Sequence, residues 1–233
     1  MTESLEAEVT AADAVRWLHE EGLIRLASVG GRIPDPIVAY TIDIGTGTVS
    51  AHPATGVGLG SDVVTLSADD LPGPIGTPKR LVVVGITSAD AVLVVDLAVA
   101  DRISINGERP ETAARAWVMQ LLLNSEVTIT TNSADLAIAE SPRCRHGFIP
   151  GAGATIVTID DKRPPVTTVT VDSSNDGPDH LDIATGGVGE MYLGARFWQL
   201  RQIMRVEDGA WEALAQRLAA EDDPNPNPET ETS

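Results

Sequence analysis

Leu81-Val82-Val83-Val84-Gly85-Ile86 and Val92-Leu93-Val94-Val95-Asp96-Leu97 are two continuous apolar runs separated by the turn residues Thr87-Ser88-Ala89-Asp90. Runs of this length without polar alternation read as strands buried on both faces. Downstream, Arg102-Ile103-Ser104-Ile105 reads as a further strand and Asn106-Gly107-Glu108 as a tight turn. Pro110 then opens a helix reaching Leu123, because proline is favoured in the first helical turn. Residues 126–131 are a strand, Ser133 caps a short helix over 134–140, and 154–159 return to strand. This alternation predicts an α/β fold with a central, partly parallel sheet and flanking helices.

Working outward, Ala14, Val15 and Leu18 stand at helical spacing behind the cap candidate Thr10, so residues 11–21 form a short amphipathic helix, with Gly22 and Leu23 past a turn. Residues 37–44 are rich in β-branched side chains, and Gly45-Thr46-Gly47 turns them back into 48–51 as a hairpin. Gly and Pro dominate 53–78, an exposed connection with one short strand at 63–66. Past the core, 165–171 and 181–184 are strands, 196–205 fit strand or helix, and Trp211, Leu214, Ala215 and Leu218 mark a final helix. The expected organisation is a helix-and-hairpin subregion (1–60), a Gly/Pro-rich connection (61–80), an α/β core (81–220) and a disordered acidic tail (221–233). That tail carries no apolar side chain with which to offset its ordering entropy.

Composition restricts the functions available. The chain has 233 residues and 34 acidic against 16 basic side chains, a formal charge of -18. That field opposes free nucleic acid and anionic lipid. The longest apolar stretch, 81–100, is broken by Ser88, Asp90 and Asp96, and the acidic N-terminus is unlike a signal peptide, so a cytoplasmic protein is expected. A single cysteine excludes a disulfide framework and any multi-cysteine zinc site.

Several stretches invite a chemical reading. Asp43-Ile44-Gly45-Thr46-Gly47-Thr48 resembles the first phosphate motif of the actin and sugar-kinase superfamily, and Thr185-Gly186-Gly187 its later adenosine contact, but no second Asp-Gly phosphate motif lies in a strand-loop context between them. The plain alternative is a hairpin turn. The Asn106-Gly107-Glu108 turn sits between strand and helix where a phosphate loop would sit. It lacks the Gly-Lys pair, and Glu108 and Glu111 would repel phosphate and cap the first helical turn instead. Cys144 and His146 could supply two metal ligands, with His52 and His180 as others, but their spacing is not that of a metal site. Arg143, Arg145, Lys162 and Arg163 make a basic patch expected to pair with neighbouring carboxylates. No Gly-x-Ser-x-Gly elbow is present. Trp17, Trp117, Trp198 and Trp211 are expected in the core. In the run 197–205, however, aromatic and arginine residues interleave as at protein interfaces, which makes Phe197, Trp198, Arg201, Met204 and Arg205 the candidate interface.

The element order over 81–131, with Val83-Val84-Gly85, Val95-Asp96-Leu97 and Ser104-Ile105-Asn106-Gly107-Glu108 before an Ala- and Leu-rich helix, resembles a segment of large actinobacterial proteins that carry LysM or BTAD-type transcriptional-activator domains. It also looks like a degenerate ATPase module of the FtsK/SpoIIIE type, as used by type VII secretion motors. Met191-Tyr192-Leu193-Gly194 through Trp211-Glu212-Ala213-Leu214 is similar to the closing strand and helix of the LysM-associated segment. The likeness spans about 30–218 at the level of pattern. The P-loop Lys and Ser/Thr are absent, so it implies no motor activity and transfers no functional residue. The resulting expectation is a non-catalytic cytoplasmic interaction or assembly protein, secretion- or regulator-associated, that binds a protein partner or itself and uses no cofactor or metal. The alternative is a nucleotide-binding enzyme of actin-like or P-loop descent.

Overall fold

The structure, a computed structural model, describes residues 9–30, 35–54, 62–74, 80–138, 141–149, 155–160, 167–172 and 177–222. Most of the expected acidic tail, from 223 onward, lies outside them, as do Lys162 and Arg163. The chain opens with α1 (Ala11–Trp17), a π-helical turn (Leu18–Gly22) and α2 (Leu23–Gly30). The hairpin strands β1 (Ile37–Asp43) and β2 (Thr48–Pro53) follow, then β3 (Val64–Ser67). The two apolar runs are β4 (Leu81–Thr87) and β5 (Ala91–Asp96); β6 (Arg102–Gly107) leads into α3 (Pro110–Leu122). Next come β7 (Thr128–Thr131), β8 (Cys144–His146), β9 (Thr155–Asp160) and β10 (Thr167–Val171). The chain closes with β11 (His180–Ile183), β12 (Gly189–Leu193), β13 (Arg196–Ile203) and α4 (Asp208–Asp222).

The fold is α/β, and its strands form one mixed sheet of thirteen in the order β3-β2-β1-β5-β4-β13-β12-β11-β6-β10-β9-β7-β8. The expected partly parallel centre is corrected, because the sheet is mostly antiparallel. Only β6 with β10, β6 with β11, and β7 with β8 run parallel. Connection length explains this. The link from β4 to β5 is a tight turn with Asp90 at φ 57, too short for a crossover, so the two buried runs must pair as a hairpin. α3 does cross over from β6 to β7, but β10 and β9 are inserted between them.

Three local expectations also change. The N-terminal helix does not stop at Gly22. A Cβ there would come within 2.9 Å of the Trp17 ring, so glycine lets the helix pass beneath the indole and continue to Gly30. Residues 134–136 form a turn, and no helix is found over 134–138. The last helix extends two residues into the expected tail, to Asp222. The N-terminal hairpin joins the sheet through β1, which pairs directly with β5.

Side-chain alternation gives the sheet two different faces. Ile103, Ile105, Val169, Val171, Leu181, Ile183, Met191 and Leu193 project to one side, where they pack with Trp117 and Leu121 of α3 and Trp211 of α4. On the opposite side the β4–β5–β1 end is apolar, and Val83, Val92, Val94 and Tyr40 are covered by Leu18, Leu23 and Leu26 of the N-terminal helices. β4 and β5 are thus buried on both faces, as their apolar runs require. Farther along the sheet, that same side carries Ser104, Asn106, His180, Asp182, Glu190 and Tyr192. No helix is long and apolar enough, among the described residues, to cross a membrane.

The sheet also coils. β2 and β13 are separated by β1, β5 and β4. Nevertheless Arg196 Nε donates to the Pro53 carbonyl at 2.8 Å, and Arg196 Nη2 pairs with Asp62 at 2.7 Å. His52 meets Trp198 edge-on at 5.3 Å, inside this closure. Burial, then the nearby Arg196 cation, push the His52 imidazole down to about 4, against the opposing pull of Asp62. A histidine pKa lowered on folding makes the fold resist protonation. Its contribution is therefore complete above the unfolded value near 6.5 and is lost as pH falls towards 4. The urea midpoint of the wild type is expected to fall over this interval, and His52→Gln should flatten the decline. The residual slope then belongs in part to His19, which burial shifts in the same direction. An identical slope in both proteins would refute the assignment.

Candidate functional site

β13 lies in the middle of the sheet, where the cover provided by the N-terminal helices ends. Leu200 points into the α3 side, so Phe197, Gln199 and Arg201 point to the other, open side. Phe197 is 51% exposed. It begins an aromatic row that crosses three strands in register: Phe197 opposite Tyr192, and Tyr192 opposite His180. Ring centroids are 5.0 Å and 4.5 Å apart along the row. Beside it runs a polar row, in which Glu190 accepts from the Tyr192 hydroxyl at 2.7 Å and Asp182 accepts from Asn106 Nδ2 at 3.1 Å.

After Leu200 the pairing with β4 slips by one residue. The slip re-aims the chain, and Arg201, Met204 and Arg205 come to line a groove of about 990 Å³ between β13, β4 and α1. Gly186 and Gly187 of the 3₁₀ turn Thr185–Gly187, both at positive φ, also line the groove. Of the five expected interface residues, these three share one groove and Phe197 stands on the same face. Trp198 lies apart, half-buried against the core on the α3 side and edge-on to His52. Sequence reasoning did not find Arg16 of α1, which completes the groove, nor Tyr192, and it singled out His180 only as a candidate metal ligand and not as part of this face. Their proximity to β13 is a matter of strand order, which leaves no trace in local spacing.

The other chemical temptations are placed differently. The Asp43 carboxylate accepts from the Thr46 amide at 2.7 Å and the Thr46 hydroxyl at 2.8 Å, so it holds its own hairpin turn together. Those bonds, the hydroxyl foremost, keep Asp43 below the usual carboxylate range. Gly186 and Gly187 line the groove and Asp43 does not.

At the Gly107 turn the backbone is already committed: the Glu108 amide donates to the Ile183 carbonyl and the Thr112 amide to the Arg109 carbonyl. Glu108 precedes α3 and engages through its backbone, its carbonyl accepting from Arg205. The residue preceding the first turn is Arg109, at φ 50, and its guanidinium pairs with Glu111, Glu207 and Asp208. Of the two glutamates expected to cap the turn, only Glu111 lies in it.

Cys144 is buried, its thiol donating to the Leu136 carbonyl, and burial pushes it up to about 11. His146 instead meets the Asn132 carbonyl. No group of three or more metal-ligating side chains is present among the described residues. Arg143 donates to the Leu122 and Asn124 carbonyls at the C-terminal end of α3, where a cation satisfies free helix carbonyls and opposes the dipole.

No family model, curated protein or solved structure matches the chain.

Proposed function

We propose that this chain is a non-catalytic cytoplasmic interaction or assembly protein that docks a protein partner on the open face around β13. The observation that carries this reading is that Phe197 and Arg201 are exposed on the same face of β13 and that Arg201, with the half-buried Met204 and Arg205, lines the groove beside it. Exposed aromatic and arginine residues flanking a concavity are the composition of interaction hot spots. The polar groups a nucleotide would need are otherwise engaged, Asp43 in its turn and the Glu108 amide in the β6–β11 join. A secretion- or regulator-associated setting, which the sequence resemblance implies, belongs to the same proposal.

The test places a photo-cross-linking amino acid at Phe197 and, as a control, at Gln216, which is exposed on α4. A discrete higher-mass adduct from position 197 and none from 216 is expected. Adducts of equal yield from both positions, or from neither, would count against the reading. So would a magnesium-ATP-dependent rise in melting temperature that Asp43→Asn abolishes, because ligand linkage of that kind marks a working nucleotide site.

A further inference from the structure

We infer that the groove between α1 and β13 receives an acidic, amphipathic segment of a partner protein. The inference rests on the docking reading above and adds the chemistry of the partner. Its first support is charge. The chain carries 34 Asp and Glu against 16 Lys and Arg. The described residues lining the groove nevertheless include Arg16, Arg201 and Arg205 and no carboxylate. A lining whose only charged groups are cations, in so acidic a molecule, selects an occupant that the rest of the surface would repel.

The second support is the state of those cations. Arg16 faces Asp13 at 3.7 Å and Arg201 faces Asp90 at 2.7 Å, both pairs being largely exposed. Exposed pairs contribute little stability, so an incoming carboxylate can replace either counter-ion at small cost. Neither Asp13 nor Asp90 lines the groove. Arg205 keeps one bond, from Nη2 to the Glu108 carbonyl at 3.2 Å, while its buried Nε has no hydrogen-bond partner.

The third support is shape. Beside the arginines the lining is mainly apolar, from Val15, Ile86 and Met204, with Gln202 as a further polar group. At about 990 Å³ the groove is at the upper limit of small-ligand pockets. A free inorganic anion would leave this apolar surface wet. A segment with apolar side chains on one face and carboxylates on its flanks covers the floor and meets the rim, in the manner of a helix laid into a groove. A second copy of this chain is disfavoured by repulsion between two molecules of charge -18.

The experiment uses the full chain and two synthetic fourteen-residue helical probes, identical in their leucine face and differing only in having Glu or Lys on the flanks. The field of the whole molecule favours the Lys probe, so only a local basic site can reverse the order. Fluorescence anisotropy at low salt should show the Glu probe binding at least about tenfold tighter than the Lys probe, with the preference shrinking as salt screens it. Arg201→Glu and Arg205→Glu should each weaken the Glu probe about fivefold or more. If Arg205→Glu does not fold, Arg16→Glu with Arg201→Glu, both at exposed positions, keeps the test.

Equal or tighter binding of the Lys probe, or affinity indifferent to the charge reversals, would overturn the inference. A dimer in sedimentation velocity that Arg201→Glu disperses would also overturn it, in favour of a second copy. A position-197 cross-link that persists while the probes fail would remove the groove assignment and leave the docking reading standing. Loss of that cross-link with probe selectivity retained would do the opposite.

Discussion

Replacing Gly107 with alanine is expected to destabilise the protein by more than about 3 kcal/mol, through two costs that add at one position. Gly107 has φ 96, where an L side chain is strained by about 1–3 kcal/mol. A Cβ built there would also collide with the Ile183 carbonyl oxygen. That obstacle is backbone, fixed by the parallel pairing of Ile183 with Gly107, and cannot rotate away. The consequence extends beyond the turn, because the same carbonyl accepts from the Glu108 amide and Arg205 donates to the Glu108 carbonyl. Urea denaturation should show a large fall in midpoint. A loss below about 1 kcal/mol would mean that the β6–β11 join is not close-packed.

Arg196→Met should cost about 3 kcal/mol, as expected when one partner of a largely buried charge pair is removed and the other is left behind. The Arg196 side chain is 8% exposed and that of Asp62 30%. Its loss strands the Pro53 carbonyl as well as Asp62. Asp62→Asn should cost less, because Asp62 is the more exposed partner. The double variant should fall short of the sum by about 1 kcal/mol or more if the two groups act together. A second readout separates this closure from a general loss of stability. The Arg196 cation helps to hold the His52 imidazole at about 4, so removing it should raise the His52 titration midpoint, as followed by NMR. An unchanged midpoint would show that β2 and β13 do not meet as described.

Both predictions concern contacts that join distant parts of the chain, and that is where the reading of the sequence stops. The apolar runs of β4 and β5 stated correctly that both faces are covered, but not which way the strands run. Burial on both sides is indifferent to direction, and direction was set by the length of the connecting turn. The functional residues divide in the same way. The interleaving of Phe197, Arg201 and Arg205 was legible because all lie on one strand and its continuation. Trp198 looked the same in sequence, yet the two-residue period of the strand turns it to the opposite face.

By itself the sequence determined the position of most elements, the burial of β4 and β5 on both faces, the acid excess and the hairpin turn at Asp43. Each of these follows from local sterics, side-chain periodicity or composition, which act over a few residues. Only the tertiary structure decided the antiparallel order of the sheet, the coiling that brings Arg196 to Pro53, and the meeting of Arg16 with Arg201 and Arg205. Those depend on which strands become neighbours. That choice minimises exposed apolar area and unpaired backbone over the whole chain, so no short stretch of sequence contains it.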